Sequence, residues 1–208
     1  MVVLTLIGDV VQSRSILNRS AFQRQLEETL AEINREHPDL LSPYTITLGD
    51  EFQAVYRSAD WLFHDIFHLL TAVFPQRIRF AIAMGRLDTP INPKQAIGMD
   101  GPAFHLCREG ILYLKQSDSL FYLASEKGNW QLANQTLALI SHELSSWNRN
   151  RWMIMDALLK GTSPRHIAEQ LNISTVAVYK NIRAGALEII QNILNEISRE
   201  VNQQMQRS

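Results

Sequence analysis

Cysteine, long apolar runs and net charge are all scarce in this 208-residue sequence. Cys107 is the only cysteine, so neither a disulfide within the chain nor a cysteine-based zinc cluster can form. No run approaches the roughly 20 apolar residues that cross a bilayer, and the apolar start Met1–Ile7 lacks the basic flank of a signal peptide. A net charge of -1 excludes a strongly basic protein that coats nucleic acid. We therefore expect a soluble, cytoplasmic protein without a membrane partner.

The near-zero net charge conceals two unlike parts. Residues 1–144 carry 12 basic and 16 acidic side chains, whereas residues 145–208 carry 8 basic and 5 acidic ones. A charge difference of this kind can mark different partners. The polar stretch 145–150 lies near the change, so we predict one domain over 1–146 and a second over 147–208. The alternative is that this stretch ends a helix within a single domain.

Residues 1–146 alternate between strand-like and helix-like patterns. A continuous apolar run at Val2–Ile7 is typical of a strand buried on both faces, and apolar residues three or four apart predict an amphipathic helix over 18–36. Apolar stretches on both sides of Gly49-Asp50 predict a hairpin. The remaining predicted elements are a helix 59–74, a strand 77–87, a helix 101–115, a strand 120–123 and a helix 130–144. This order predicts an α+β fold with an antiparallel sheet backed by helices.

Two aspartates stand at predicted strand ends. Asp9 follows the first strand, and Asp50 lies at the hairpin tip, where adjacent strands could bring the two carboxylates together. Repulsion between them would favour a divalent cation such as Mg²⁺, which prefers carboxylates together with phosphate oxygens. Ser13 and Arg14, in the turn after Asp9, could supply a hydroxyl and a cation to a phosphate. The alternative is that Gly49-Asp50 is only a common turn sequence.

The sequences around these aspartates resemble known families. Asp9–Arg14 resembles the first metal-binding stretch of class III nucleotidyl cyclases, and Gly49–Phe52 resembles both their second stretch and the hairpin of diguanylate cyclase (GGDEF) domains. Arg79–Gly85 is similar to a cyclase strand, and Ile97–Arg108 to the segment leading into the next cyclase helix. The arrangement of all four looks closest to the SatD family. The cyclase resemblance covers roughly residues 1–125, whereas SatD-like proteins extend over the whole length.

The resemblance implies a ferredoxin-like, palm-type sheet that binds a nucleotide triphosphate. Asp9 and Asp50 would hold Mg²⁺ or Mn²⁺. The residues that would contact the nucleotide or its phosphates are Val10, Ser13, Arg14 and Arg108.

Three departures from the cyclase pattern favour binding over turnover, so we assign no catalytic residue. No lysine lies next to Ile46, where adenylate cyclases read the base. Phe104 replaces an asparagine that precedes the cyclase arginine, and Gln12 replaces a glycine of the phosphate-facing turn.

His64 and His68 are four residues apart on a predicted helix, which is a metal-ligand spacing. No third ligand is evident in the sequence, so packing or solvent exposure is the favoured interpretation. Cys107, within an apolar helix face, is expected to be a buried structural thiol.

The C-terminal part has the pattern of short helices joined by tight turns. After a helix over 151–159, Ser163 and Pro164 are suited to begin a second helix, and Asn172 is suited to a tight turn. Ser174 is suited to begin a third helix, with Val176, Val178 and Ile182 partly buried. This pattern resembles the helix-turn-helix of sigma-factor and response-regulator proteins. In the DNA-binding interpretation this third helix enters the major groove. Its groove-facing candidates are Thr175, Ala177, Tyr179, Lys180 and Arg183. The alternative is a helical hairpin used only for packing or dimerisation.

The tail carries apolar residues at alternating spacings of three and four, which is typical of a dimerisation seam. The seam consists of Leu187, Ile190, Leu194, Ile197 and Val201. It could instead pack against the rest of the chain, but we expect a homodimer. Two functions follow as hypotheses. One is a DNA-binding regulatory protein with a degenerate cyclase-like domain that senses a nucleotide or metal. The other is a metal-dependent nucleotide-processing enzyme whose C-terminal helices only dimerise it.

Overall fold

Five strands form a single mixed sheet in the computed structural model, which describes residues 1–207 apart from the side chain of Glu36. The strands are β1 Val2–Val10, β2 Leu40–Leu48, β3 Glu51–Tyr56, β4 Ile78–Arg86 and β5 Phe121–Ser125. They pair in the order β2-β3-β1-β4-β5. The first four are antiparallel to their neighbours, as expected, but β5 runs parallel to β4. The predicted α+β class is therefore confirmed, whereas the prediction of a wholly antiparallel sheet was wrong.

Eight α-helices lie within the described part of the chain. They are α1 Arg19–Glu36, α2 Leu62–Val73, α3 Pro102–Lys115, α4 Gln131–Leu144, α5 Arg149–Leu159, α6 Pro164–Leu171, α7 Thr175–Ala184 and α8 Leu187–Arg207. Helices α1 and α2 cover one face of the sheet and α3 covers the other, so the sheet has an apolar core on each side. The crossover through α3 returns the chain beside β4 in the same direction, which explains the parallel strand. Among these helices none has the length and apolarity that a membrane span requires.

Local sequence explains the first helix and the hairpin. The Asn18 side chain accepts a hydrogen bond from the backbone N–H of Ala21 at 3.1 Å, which caps α1. The apolar residues that predicted this helix are buried against the sheet, and they are Phe22, Leu26, Leu30 and Ile33. Gly49 adopts a φ of 66° between β2 and β3, a backbone conformation that favours glycine. The predicted hairpin is therefore confirmed with the same turn.

The hydrophobic core continues across the predicted domain boundary. Trp147 and Trp152 lie against Phe67 of α2, with ring centroids 6.4 and 5.8 Å away. Trp147 is only 4% exposed, although it lies in the polar stretch that suggested a boundary. The helices after residue 146 share one apolar cluster with α1 and α2. The division into 1–146 and 147–208 stays a prediction about sequence units, because the packing does not separate there.

A polar contact also joins the two parts. Nδ1 of His68 on α2 lies 3.3 Å from the carboxylate of Asp156 on α5, and Lys160 lies 3.2 Å from the same carboxylate oxygen. The Glu32 carboxylate approaches the other side of the imidazole at 3.8 Å. The hydrogen bond to Asp156 raises the pKa of His68 above its ordinary value, against the opposing effect of burial.

Candidate functional site

The end of β1 carries a row of charges on the sheet face that α3 covers. Strand register places Asp9 opposite Glu51 of β3 on one side and opposite Arg79 of β4 on the other. Directly opposed residues on neighbouring strands have side chains on the same face. Asp9 lies within β1, because the strand extends to Val10 and does not end at Ile7 as the apolar run predicted.

Two cations from the chain itself neutralise Asp9. One carboxylate oxygen lies 3.1 Å from Nη1 of Arg79, and the other lies 2.9 Å from Nζ of Lys115 at the end of α3. The Asp9 side chain is 10% exposed, so both ion pairs are shielded from solvent on the aspartate side. This arrangement weakens the argument that repulsion between Asp9 and Asp50 demands a divalent cation. The metal role of Asp9 therefore stays a prediction, and it now competes with an ion-pair role.

Asp50 is in a different situation at the hairpin tip. It is half-buried, and its carboxylate makes no hydrogen bond or ion pair with any residue in 1–207. The tip lies beside the N-terminus of α1, because a Cβ added at Gly49 would be 3.5 Å from the guanidinium of Arg19. Arg14 is exposed in the short 3-10 turn Ser13–Ser15 that joins β1 to α1. The unpaired carboxylate of Asp50 and the side chains of Arg14 and Arg19 thus belong to the same end of the sheet, where β1 ends and the hairpin turns.

The other predicted phosphate ligands are scattered. Val10 is 3% exposed and belongs to the core beneath α1 and α2, so its side chain is not available to a ligand. Ser13 is also largely buried, at 8% exposed. Arg108 is exposed, and a carboxylate oxygen of Asp100 lies 3.8 Å from it. It precedes Lys115 by seven residues, or about 10 Å of helix rise. The structure brings Lys115 to Asp9, not Arg108.

Arg79 and Lys115 were missed because their role depends on non-local pairing. The only signal in the sequence was an arginine inside an otherwise apolar strand, where a charge needs a partner. Strand register and the packing of α3 supply that partner, and neither can be read from local spacing.

Helices α6 and α7 form a second candidate site. The side chain of Ser163 accepts from the backbone N–H of His166 at 3.3 Å, and that of Ser174 from Ala177 at 3.1 Å, so both predicted caps are confirmed. Asn172 between the helices has φ 52° and ψ 46°, as expected of a tight turn. The short α6 and α7 therefore pack as a pair with a three-residue connection.

One face of α7 is buried and the other is open. Val178 and Ile182 are buried, as predicted. Val176 was expected to be partly buried, but it is 78% exposed, because two residues of helix rotate it to the opposite side from Val178. Tyr179 is 48% exposed. Among the predicted groove-facing residues, Lys180 and Arg183 are also exposed, whereas Thr175 and Ala177 are half-buried.

The apolar seam of α8 faces the chain itself. All five members are buried in the common core, and they are Leu187, Ile190, Leu194, Ile197 and Val201. The seam therefore packs against the rest of the chain, which was the alternative interpretation. Self-association would need another surface. A homodimer stays a prediction.

Comparison with protein families adds one finding. The sequence model of the SatD family (SatD) matches residues 3–200. The chain belongs to the SatD family. This match covers both the sheet and the C-terminal helices, so the region that the family model describes includes α6, α7 and most of α8. No curated protein matches the chain.

Proposed function

We propose that this SatD-family protein is a DNA-binding regulatory protein that reads DNA through α6 and α7. The observation that carries the proposal is the open face of α7, where Tyr179, Lys180 and Arg183 are exposed together. The helix Thr175–Ala184 contains no acidic residue. Lysine and arginine on such a face suit phosphate oxygens and the acceptor edge of guanine.

The packing of α7 supports a role as a recognition helix. Its inner residues Val178 and Ile182 fix its orientation, so the outer residues are presented without a change in the fold. Val176, Tyr179 and Arg183 follow one another at spacings of three and four, and therefore share one side of the helix. Thr175 and Ala177 at its start are half-buried, so part of each side chain stays accessible.

We propose further that the first part is a ferredoxin-like domain that binds a nucleotide triphosphate with Mg²⁺ or Mn²⁺. The order β4-β1-β3-β2 with antiparallel pairing suits that fold. Asp50 offers an unpaired carboxylate to the metal, and Arg14 is exposed in the turn that follows β1. Phe104, which replaces the cyclase asparagine, is fully buried and has no polar group, which supports binding without turnover. The unpaired Asp50 is also what favours the second candidate, a metal-dependent nucleotide-processing enzyme.

DNA binding is tested by fluorescence anisotropy with labelled genomic fragments. Lys180→Ala and Arg183→Ala should each weaken binding about tenfold and reduce the slope of affinity against salt by about one. The matched control is Arg24→Ala, which removes an exposed cation from α1 and should leave binding unchanged. Equal affinities for the wild type and both α7 variants would exclude α7 as the reading helix.

A second measurement addresses the nucleotide. ATP or GTP with Mg²⁺ or Mn²⁺ should change the DNA affinity of the wild type, and Asp50→Asn should remove that change. Product analysis in the same mixtures tests the enzyme hypothesis. Turnover that disappears in Asp50→Asn, without any effect on DNA affinity, would reverse the order of the two candidates.

A further inference from the structure

A histidine-rich cluster lies at the opposite end of β3 from the hairpin tip. It consists of His37, His64 and Asp65, and we call it the His37–His64–Asp65 cluster. His37 follows the last turn of α1, whereas the other two residues lie in the first turn of α2. One potential ligand atom from each residue lies within 4.8 Å of the others.

Both imidazoles converge on the same carboxylate oxygen. Nε2 of His37 lies 2.7 Å from Oδ1 of Asp65, and Nδ1 of His64 lies 3.3 Å from it. The Asp65 side chain is fully buried, that of His37 is 4% exposed, and that of His64 is 17% exposed. The cluster is therefore buried, and His64 is its most exposed member.

Two tyrosines and a tryptophan surround the cluster and fix the orientation of its side chains. The Tyr56 hydroxyl donates to the other oxygen of Asp65 at 2.5 Å, and the Tyr44 hydroxyl lies 2.5 Å from that of Tyr56. The indole of Trp61 packs edge-on against both imidazoles, with centroid distances of 5.4 Å to His37 and 5.1 Å to His64.

One polar atom in the cluster has no partner. Nδ1 of His37 is buried and makes no hydrogen bond within residues 1–207. A buried imidazole nitrogen without a partner carries a cost, because it has lost its hydrogen bonds to water. The contact with Asp65 is made by the other ring nitrogen, Nε2, so Nδ1 does not take part in the cluster.

We propose that the His37–His64–Asp65 cluster binds a divalent transition-metal ion, with zinc as the best match. Two imidazoles and one carboxylate, with a position left for water, form a ligand set that suits zinc. Ligands about 2.0–2.2 Å from a tetrahedral ion lie about 3.3 Å apart. The separation of Asp65 Oδ1 and His64 Nδ1 already has this value, and His37 needs to retreat by about half an ångström.

The Asp65 carboxylate is oriented by a residue outside the cluster. A ligating carboxylate is usually oriented by a further hydrogen bond, and the Tyr56 hydroxyl supplies it to the free oxygen of Asp65. The C-terminus of α1 lies at His37 and the N-terminus of α2 at His64 and Asp65, so the opposite ends of two helix dipoles meet at the cluster. His68, four residues after His64, contacts Asp156 and is not part of the cluster, which agrees with the packing role favoured from the sequence.

This site is separate from the one proposed at Asp50. Five residue steps along β3 from Glu51 to Tyr56 correspond to about 17 Å, so the two sites lie at opposite ends of the strand. Their chemistry also differs, because an oxygen-rich site suits Mg²⁺ whereas imidazole nitrogen suits zinc. The zinc proposal therefore does not depend on the proposed function.

The proposal is tested by titrating the chelator-treated, full-length protein with Zn²⁺ in a calorimeter and with Co²⁺ in a spectrophotometer. We expect one tight equivalent of zinc and the visible absorption of tetrahedral cobalt. His64→Gln and His37→Gln should each weaken zinc binding at least tenfold. Tyr56→Phe, which leaves the three proposed ligands in place but removes the hydroxyl contacts to Asp65 and Tyr44, should weaken it about tenfold. A millimolar excess of Mg²⁺ should not compete.

Matched controls are available on the same protein. His68→Gln removes a histidine one turn farther along α2, and His105→Gln removes an exposed histidine that lies 3.0 Å from Asp100. Both should bind zinc like the wild type. The proposal is wrong if zinc does not bind, if His64→Gln binds it normally, or if His105→Gln abolishes the binding. Circular dichroism of each variant establishes folding, and Tyr56→Phe keeps the test decisive if His37→Gln does not fold.

Discussion

Replacement of Asp9 by asparagine separates the two interpretations of the charged row by the sign of its effect. If Asp9 and Asp50 formed an unneutralised metal site, the removal of one charge would relieve repulsion and stabilise the metal-free protein. The structure predicts the opposite. Asp9→Asn would leave Arg79 and Lys115 beside a neutral amide, with their carboxylate partner lost.

The expected loss follows from the exposure of the two cations. The Arg79 side chain is 17% exposed, and its Nε also donates to the backbone carbonyl of Leu114 at 3.1 Å, so it cannot turn freely into water. The loss of one partner from a buried ion pair costs about 3–5 kcal/mol, and the remaining exposure of Arg79 reduces this figure. Lys115 is 47% exposed and contributes at most about 1 kcal/mol. We expect the free energy of unfolding to fall by about 2–3 kcal/mol.

Urea denaturation followed by tryptophan fluorescence and circular dichroism measures this change. In thermal denaturation the melting temperature should fall by about 4–12 °C, since each kcal/mol of lost stability corresponds to about 2–4 °C at this chain length. Asp50→Asn is the control, because its carboxylate has no partner among the described residues, and it should change the free energy by less than about 0.5 kcal/mol. A stabilised Asp9→Asn protein, or equal effects of the two substitutions, would refute the ion-pair interpretation.

Three further outcomes are expected. The hydrogen bond to Asp156 raises the pKa of His68, so the stabilisation that protonated His68 gives the fold is complete below about pH 6.5 and is lost as pH rises through the folded pKa. Urea titrations should therefore show that His68→Gln loses less stability than the wild type between about pH 6 and 8.5. Parallel curves for the two proteins would contradict this. Burial raises the pKa of the Cys107 thiol, which donates to the backbone carbonyl of Thr5 at 3.2 Å, so a thiol reagent should label it only at the rate of unfolding. Trp147→Ala should lower the free energy of unfolding by about 3–5 kcal/mol in a single transition seen by all probes, and a separate transition for the C-terminal helices would argue against a shared core.

The parts of the fold that depend on local chemistry were predictable from the sequence. The Asn18 cap, the Gly49 turn and the Ser174 cap all act within a few residues, so the elements they begin or join were placed correctly. Features that depend on distant pairing were not predictable. The parallel strand β5 requires the crossover through α3, and the partners of Asp9 require strand register.

The candidate sites divide in the same way. The open face of α7 is a property of one helix, and its exposed cations Lys180 and Arg183 were identified in advance. The His37–His64–Asp65 cluster joins the end of one helix to the start of another across 27 residues of sequence, and no spacing rule connects them. The apolar pattern of α8 correctly indicated that its seam is buried. It could not identify what covers the seam, because that depends on residues far away in the sequence.

The packing of Trp147 and Trp152 on Phe67 has a practical consequence for dissecting the protein. A fragment that ends at residue 146 would expose the aromatic surface of α2 to water, and the complementary fragment would expose two indoles. Apolar patches of this kind promote aggregation. Truncation would therefore yield misleading losses of activity, and the contribution of each part is better isolated by surface substitutions in the intact chain.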